Sequence, residues 1–119
     1  MLTKTIAIID DEVDLVNLFK EALEMNGYEV CTYTDSVNAF EKLQTNLEIY
    51  GLVISDFKMP LMNGNILCTR LMDINPKLKV ILISAYQDVE CDTSKFTFLQ
   101  KPIPIAVLLK TVKVILAAK

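Results

Sequence analysis

The sequence predicts an α/β protein with a doubly wound, five-stranded parallel sheet that is covered by helices on both faces. The first observation is that short apolar runs alternate five times with segments of helical periodicity. The second is that three of these runs, TIAII, GLVIS and KVILI, are mostly apolar and do not alternate with polar residues, as expected of strands buried on both faces. Because crossovers between parallel strands are right-handed, we expect the strand order 2-1-3-4-5.

The first half of the chain contains two predicted strands and two predicted helices. Thr5–Ile9 is the first strand, and from Val13 apolar residues recur every three or four positions until the turn signal Asn26-Gly27. Tyr28–Tyr33 alternates between polar and apolar residues and is expected at an edge of the sheet. A helix capped by Asp35-Ser36 follows, with the apolar residues Val37, Ala39, Phe40, Leu43 and Leu47.

The second half repeats the same alternation. It is expected to contain a strand over Gly51–Ser55, a loop over Phe57–Asn63, a helix that ends before Pro76, strands over Lys79–Ile83 and Phe96–Leu99, and a final helix over Ile103–Ala118. The polar segment Tyr86–Lys95 is too short for a long helix between two strands. Five strands in this order correspond to the flavodoxin-like arrangement.

Length and composition favour a single globular domain over residues 1–119. Apolar residues make up 52% of the chain and charged residues 23%. The net charge of −3 and the scattered basic residues argue against direct nucleic-acid binding. The chain has no histidine, which excludes catalysis by imidazole, and its three cysteines form no close pair. With no signal-peptide or membrane-spanning pattern, we expect a cytoplasmic protein without membrane contact.

Polar residues stand where the predicted strands end. Asp10 and Asp11 follow the first strand, Asp56 the third, Ser84 the fourth and Lys101 the fifth. The carboxyl ends of parallel strands meet at one edge of the sheet, which is where ligands bind in this class of fold. The alternative is that Asp10 or Asp11 only caps the helix that begins near Val13.

Three carboxylates at one edge repel one another and call for a cation. Oxygen ligands with a few waters suit Mg²⁺ better than Ca²⁺, which takes more protein oxygens. Lys101 adds a fixed positive charge. A hydroxyl, a lysine and a metal around one carboxylate would together bind the oxygens of a phosphoryl group attached to it.

Four segments carry these residues: IIDDE over Ile8–Glu12, SDFKMPLMNG over Ser55–Gly64, LISAY over Leu82–Tyr86 and FLQKPI over Phe98–Ile103. In this spaced combination the chain resembles the response-regulator receiver domains of two-component signalling. The resemblance covers nearly the whole chain. It implies a phosphoacceptor switch that works in a phosphorelay and is not an enzyme in the ordinary sense.

The resemblance assigns a role to each residue of the edge. It implies that Asp56 accepts a phosphoryl group from a sensor histidine kinase or a phosphotransfer protein. Mg²⁺ would be held by Asp11, Asp56 and the backbone carbonyl of Lys58, with Asp10 acting mainly through water. Ser84 and Lys101 would each bind a phosphoryl oxygen, and Phe98 would be the aromatic residue that turns inward when Ser84 moves toward the phosphoryl group.

The chain departs from the family pattern between Ser84 and Phe98, where it is several residues shorter. We therefore expect the family's fourth helix to be shortened or missing. Lys58 and Tyr86 flank the direction from which water would attack an acyl phosphate. Tyr86 is predicted to slow this hydrolysis by shielding, with a half-buried loop tyrosine as the alternative reading.

The last predicted helix is apolar over a wide arc, formed by Ile105, Val107, Leu108, Leu109, Val112, Val114, Ile115 and Leu116. With the fourth helix reduced, part of this arc is expected to remain exposed and to form a homodimer or partner contact. The alternative is an ordinary core helix.

Three other functions remain as alternatives. The first is a pseudo-receiver that keeps the fold and acts through protein contacts without phosphorylation. The second is a haloacid-dehalogenase-like phosphatase, which would need a D-x-D pattern after the first strand and a cap domain. The third is a flavin-binding module, which would need a phosphate-binding loop where this chain has carboxylates.

Overall fold

The computed structural model describes residues 5–85 and 95–117. In these ranges the strands are β1 (Thr5–Ile9), β2 (Val30–Tyr33), β3 (Tyr50–Asp56), β4 (Lys79–Ser84) and β5 (Thr97–Gln100). The α-helices are α1 (Val13–Met25), α2 (Ser36–Leu43), α3 (Gly64–Ile74) and α4 (Ile105–Ala117). The strands form one parallel sheet in the order β2-β1-β3-β4-β5, which confirms the predicted order.

The sheet separates two apolar clusters, which explains why the central strands lack alternation. On one face α2 and α3 pack through Ala39, Leu43, Leu67, Cys68 and Leu71 onto residues such as Ala7, Val53 and Leu82. On the other face α1 and α4 pack through Val16, Phe19, Leu23, Leu108 and Val112 onto residues such as Ile8, Ile54 and Ile81. Successive strand residues point to opposite faces, so both must be apolar where helices cover both.

Several element boundaries differ from the predicted ones for local reasons. The second strand begins at Val30 because the N–H of Tyr28 still closes the end of α1 on the carbonyl of Leu23, at 3.2 Å. The helix predicted to reach Leu47 ends at Leu43 and continues as a 3₁₀ helix over Gln44–Ile49. The last helix starts at Ile105 and not at Ile103, because a residue that precedes a proline disfavours helical geometry.

Two sequence-based expectations fall outside the described ranges. The shortened or missing fourth helix concerns residues 86–94, and the shielding role concerns Tyr86; neither segment is described. Within the described ranges, none of the helices combines the length and apolarity needed to cross a membrane.

The connection from β3 to α3 is fixed by short polar contacts and one close approach. The side chain of Asn63 accepts a hydrogen bond from the N–H of Ile66 at 2.8 Å and so caps α3. The N–H of Gly64 donates to the carbonyl of Phe57 at 2.7 Å. A Cβ on Gly64 would overlap the backbone carbonyl of Asp56 and lie 2.9 Å from Cδ1 of Leu82. Only glycine therefore lets α3 begin this close to the end of β3.

We predict that Gly64→Ala lowers the free energy of unfolding by about 1–3 kcal/mol, because the new methyl group meets backbone that cannot move aside. Urea denaturation checks this. Thr69→Ala, on the exposed side of the same helix, is the control and is expected to change stability by less than about 0.5 kcal/mol. Equal effects of the two substitutions would contradict the close-approach explanation.

Candidate functional site

The carboxyl ends of four strands converge on one cavity of about 270 Å³. Its lining residues are Asp11, Glu12, Asp56, Lys58, Ser84, Ala85 and Lys101. Asp10 lies beside it, with one oxygen from each of Asp10, Asp11 and Asp56 within 4.8 Å of the others. The structure therefore brings together the strand-end residues that the sequence singled out.

Register explains why Asp10 and Asp56 meet. Ile9 of β1 pairs with Ser55 of β3, so the residues that follow them, Asp10 and Asp56, lie side by side. Adjacent strands are about 4.8 Å apart, and this spacing places the two carboxylates in the same small volume. Asp10 is 1% exposed and Asp56 6% exposed.

Both oxygens of Asp10 are engaged within the protein. Its Oδ1 accepts a hydrogen bond from the N–H of Glu12 at 2.9 Å, and its Oδ2 accepts one from Nζ of Lys101 at 3.1 Å. Glu12 is the residue that precedes α1, and its side chain makes no capping hydrogen bond to that helix. Asp10 thus orients the strand end and Lys101, and it does not act as an ordinary helix cap.

The backbone of Lys101 is held by a hydrogen bond, and the charge of its side chain is neutralised by nearby carboxylates. Its N–H donates to the carbonyl of Ser84 at 2.8 Å, which ties the end of β5 to the end of β4. Its Nζ lies 2.9 Å from Glu12, 3.1 Å from Asp10 and 3.4 Å from Asp56. Three carboxylates therefore surround one ammonium group.

Burial and charge shift the acid–base behaviour of the site. Burial, followed by the charge of Asp10, raises the pKa of Asp56 to about 6. Burial also raises the pKa of Asp10, although the Glu12 N–H and Lys101 oppose it. Burial alone would lower the pKa of Lys101, but its hydrogen bonds to Glu12 and Asp10 prevail and raise it. The carboxylates are thus short of positive charge and the lysine is firmly protonated.

The donor set fits a hard divalent cation. Carboxylate oxygens from Asp10, Asp11 and Asp56 approach within 4.8 Å of one another, and Asp11 is exposed, which leaves room for water ligands. Asp56 has a raised pKa chiefly because it is buried near another acid, a cost that a cation would offset. These ligands match Mg²⁺, which prefers oxygen and keeps several waters.

The remaining predicted residues are placed as follows. Lys58 is exposed and lines the cavity, and Ser84, which is 1% exposed, lines it as well. Phe98 is half-buried and pairs with Leu82, two residues before Ser84, so Phe98 and Ser84 lie on the same face of the sheet.

Sequence reasoning assigned no role to two residues that shape this site. The carboxylate of Glu12 lies closer to Nζ of Lys101 than the carboxylates of Asp10 and Asp56 do. Its place in the same acidic run as Asp10 and Asp11 was the available signal. The close approach of Gly64 to Asp56 depends on where α3 is placed, whereas the dipeptide Asn63-Gly64 indicates only a turn.

Comparison with known proteins agrees with this geometry. The sequence profile of the response regulator receiver domain family matches residues 6–113. The chain is 34% identical over 86 residues to the response regulator receiver protein CpdR of Brucella abortus, covering 72% of this chain and 70% of that protein. It spans only 18%, 25% and 37% of the length of three further relatives, which are transcriptional regulatory proteins.

Solved structures agree on the fold. A response regulator receiver domain protein from Clostridium thermocellum superposes with a TM-score of 0.88 at 25% identity, covering 96% of this chain and 94% of that one. The receiver domain of the hybrid histidine kinase CckA superposes with a TM-score of 0.83 at 30% identity, covering 94% and 98%. The chain belongs to the response regulator receiver domain family, whose members are signalling domains of two-component systems.

Burial of Asp56, together with the nearby charge of Asp10, predicts a pH-dependent stability in metal-free protein. The pKa of Asp56 rises from an ordinary 3.8 to about 6 on folding, so the folded state binds the proton more tightly. This contribution is complete below about pH 4 and is lost as pH rises through about 6. Asp56→Asn should therefore raise stability near pH 8 by on the order of 1 kcal/mol and reduce the decline with pH.

Thermal unfolding in the presence of a chelator checks this prediction. In the variant, Lys101 keeps its ion pairs with Asp10 and Glu12. The loss of its 3.4 Å contact with Asp56 therefore lowers the stability only slightly. Glu21→Gln, which removes an exposed charge from the middle of α1, is the control and should leave the pH profile unchanged. A lower melting temperature for Asp56→Asn at pH 8 would contradict the explanation by burial and charge repulsion.

Proposed function

We propose that this domain accepts a phosphoryl group on Asp56 from a phosphohistidine of a sensor histidine kinase or a phosphotransfer protein, in a Mg²⁺-dependent reaction. A carboxylate oxygen of Asp56 attacks phosphorus, and the new O–P bond forms as the P–N bond breaks. The electron pair of the broken bond leaves with the imidazole of the donor. The modified domain then changes conformation and signals to a partner.

One observation carries this proposal: a buried carboxylate, a lysine and a hydroxyl from three different strand ends share one cavity. Asp56, Lys101 and Ser84 all line it. The carboxylate is the nucleophile, and the lysine and hydroxyl supply the donors that a phosphoryl group requires. The cavity is small and open, which suits a side chain presented by another protein.

The metal site belongs to the same proposal. Asp11, Asp56 and the backbone carbonyl of Lys58 would hold Mg²⁺, with Asp10 acting mainly through water because its two oxygens are already engaged. When bound, Mg²⁺ supplies positive charge that offsets the carboxylates and the phosphoryl oxygens. Lys58, exposed at the rim, and Tyr86 are proposed to modulate the lifetime of the acyl phosphate.

Ser84 and Phe98 are proposed to form the switch. A phosphoryl oxygen that draws the Ser84 hydroxyl toward Asp56 would vacate space on the face of the sheet where Phe98 lies. Phe98 is half-buried and sits at the edge strand β5, so an inward turn would bury more of its ring. The conformational change would thereby appear at the edge strand β5, on the face of the sheet that α2 and α3 cover.

The kinase and the cytoplasmic location are parts of the same proposal. Similarity to the receiver domain of a hybrid histidine kinase supports a phosphohistidine as donor. The alternative is a pseudo-receiver that signals through protein contacts without phosphorylation. The complete set of strand-end residues supports the phosphoacceptor, and direct phosphorylation distinguishes the two.

We predict that the wild-type domain binds beryllofluoride and acquires a phosphoryl group from acetyl phosphate when Mg²⁺ is present. Asp56→Asn should do neither, because an amide is not a competent nucleophile. Intact-mass spectrometry and NMR titration measure the two events. A wild-type domain that remains unmodified and unperturbed would overturn the phosphoacceptor proposal and favour the pseudo-receiver.

The outer side of α4 is proposed as a contact between two copies of the domain. Leu108 and Val112 are buried against the sheet, whereas Val107 and Val114 are 43% and 62% exposed. The helix is therefore a core helix on one side and carries apolar surface on the other. α4 is the element that follows β5 in the chain, and β5 is the strand on which the proposed switch would act.

We predict that beryllofluoride and Mg²⁺ increase dimer formation and that Val114→Glu reduces it, since the substitution places a charge in the apolar contact. Sedimentation velocity over a concentration series measures the association. Leu18→Glu, at a 51% exposed position of α1, is the matched control and should leave association unchanged. A wild-type domain that stays monomeric at high concentration with and without beryllofluoride would contradict the homodimer.

A further inference from the structure

We propose that Glu12 is a positioning residue that holds Lys101 in the resting domain and is displaced from it by the incoming phosphoryl group. This inference rests on the proposed phosphoacceptor function of Asp56. It assigns a task to an acidic residue that neither ligates the proposed metal nor accepts the phosphoryl group.

The ammonium group of Lys101 already has a full set of partners in the resting domain. An ammonium group has three N–H donors, and the carboxylates of Glu12, Asp10 and Asp56 lie 2.9, 3.1 and 3.4 Å from Nζ. Two of these contacts, to Asp10 and Glu12, are hydrogen bonds. The ammonium is therefore already surrounded before any phosphoryl oxygen arrives, and one carboxylate must give up its place.

Burial determines which carboxylate leaves at least cost. The side chains of Asp10 and Asp56 are 2% and 9% exposed, whereas that of Glu12 is 64% exposed. A carboxylate released into water regains its hydration, but one left unpaired in a buried position does not. Asp10 is additionally anchored through its Oδ1 by the N–H of Glu12. Glu12 is thus the partner that exchanges.

Glu12 also competes by its position and charge. It lines the same cavity as Asp56 and Lys101. An anionic phosphoryl group that enters must approach this carboxylate as well as the lysine, and the like charges repel. In the resting state the same contact keeps Lys101 at the cavity. Glu12 therefore has two opposing effects. It keeps Lys101 in place at the cavity, and it weakens the binding of phosphoryl groups.

The test compares wild type with Glu12→Gln. The variant should bind beryllofluoride with Mg²⁺ about two- to fivefold more tightly, and acetyl phosphate should phosphorylate it faster by a similar factor, as expected for loss of one exposed ion pair. Isothermal titration calorimetry and intact-mass kinetics measure these quantities. The difference from wild type should narrow as salt is raised, because an exposed charge is screened.

Two control variants separate the contact from net charge. Asp14→Asn removes an exposed negative charge from the first turn of α1 and should leave both quantities at wild-type values. Glu12→Asp keeps the charge but shortens the side chain, so it should behave like Glu12→Gln if the contact with Nζ matters. The ¹⁵N signal of the Lys101 ammonium should shift in both Glu12 variants and not in Asp14→Asn, a change that a structural role would not produce.

The outcomes are distinguishable from those of the phosphoacceptor proposal. A wild-type domain that does not bind beryllofluoride overturns the proposed function, and this inference with it. If wild type binds and Glu12→Gln binds equally well or less tightly, the inference alone is overturned. If Asp14→Asn matches Glu12→Gln, or Glu12→Asp matches wild type, general electrostatic repulsion accounts for the effect and the positioning role is also overturned.

Discussion

The register between the two central strands is the constraint on which the site depends. Because Ile9 pairs with Ser55, the acids that follow each strand stand next to each other at the sheet edge. A shift of one residue would turn Asp56 toward the opposite face and separate the pair. This register is held by the strands themselves, which are buried on both faces over almost their whole length. The apolar cores therefore fix the distance between two carboxylates that would otherwise move apart.

The helices on the two faces then determine how closely the loops approach this edge. Gly64 allows α3 to begin against the carbonyl of Asp56, and the hydroxyl of Ser36 donates to the carbonyl of Pro60 at 3.1 Å, which ties α2 to the same loop. Both contacts act on backbone and not on the acidic side chains. The loop is thus held by uncharged groups, and the acidic side chains remain available to bind ligands.

The sequence was sufficient for the parts of this protein that follow from periodicity and chain connectivity. Uninterrupted apolar runs predicted the buried strands, and parallel topology predicted that Asp10, Asp56 and Lys101 would meet. It was not sufficient where the outcome depends on competition between local contacts. The 3₁₀ helix over Gln44–Ile49 and the later start of the last helix are examples, since apolar spacing continues through both. Glu12 was overlooked because partners of a lysine depend on side-chain reach across the cavity, which spacing along the chain does not encode.

Because three carboxylates already surround the ammonium group of Lys101, the free energy gained on phosphorylation is limited. If Lys101 were unpaired in the resting domain, a phosphoryl group would add a full new ion pair and the modified state would be favoured by a large free energy. With three carboxylates already around its ammonium group, the phosphoryl oxygens replace existing interactions, and only the difference contributes. A small difference keeps both conformations within reach of each other, so that a partner's binding energy or loss of the phosphoryl group can reverse the balance. Crowding of acids around one lysine is thus compatible with a reversible signal as well as with metal binding.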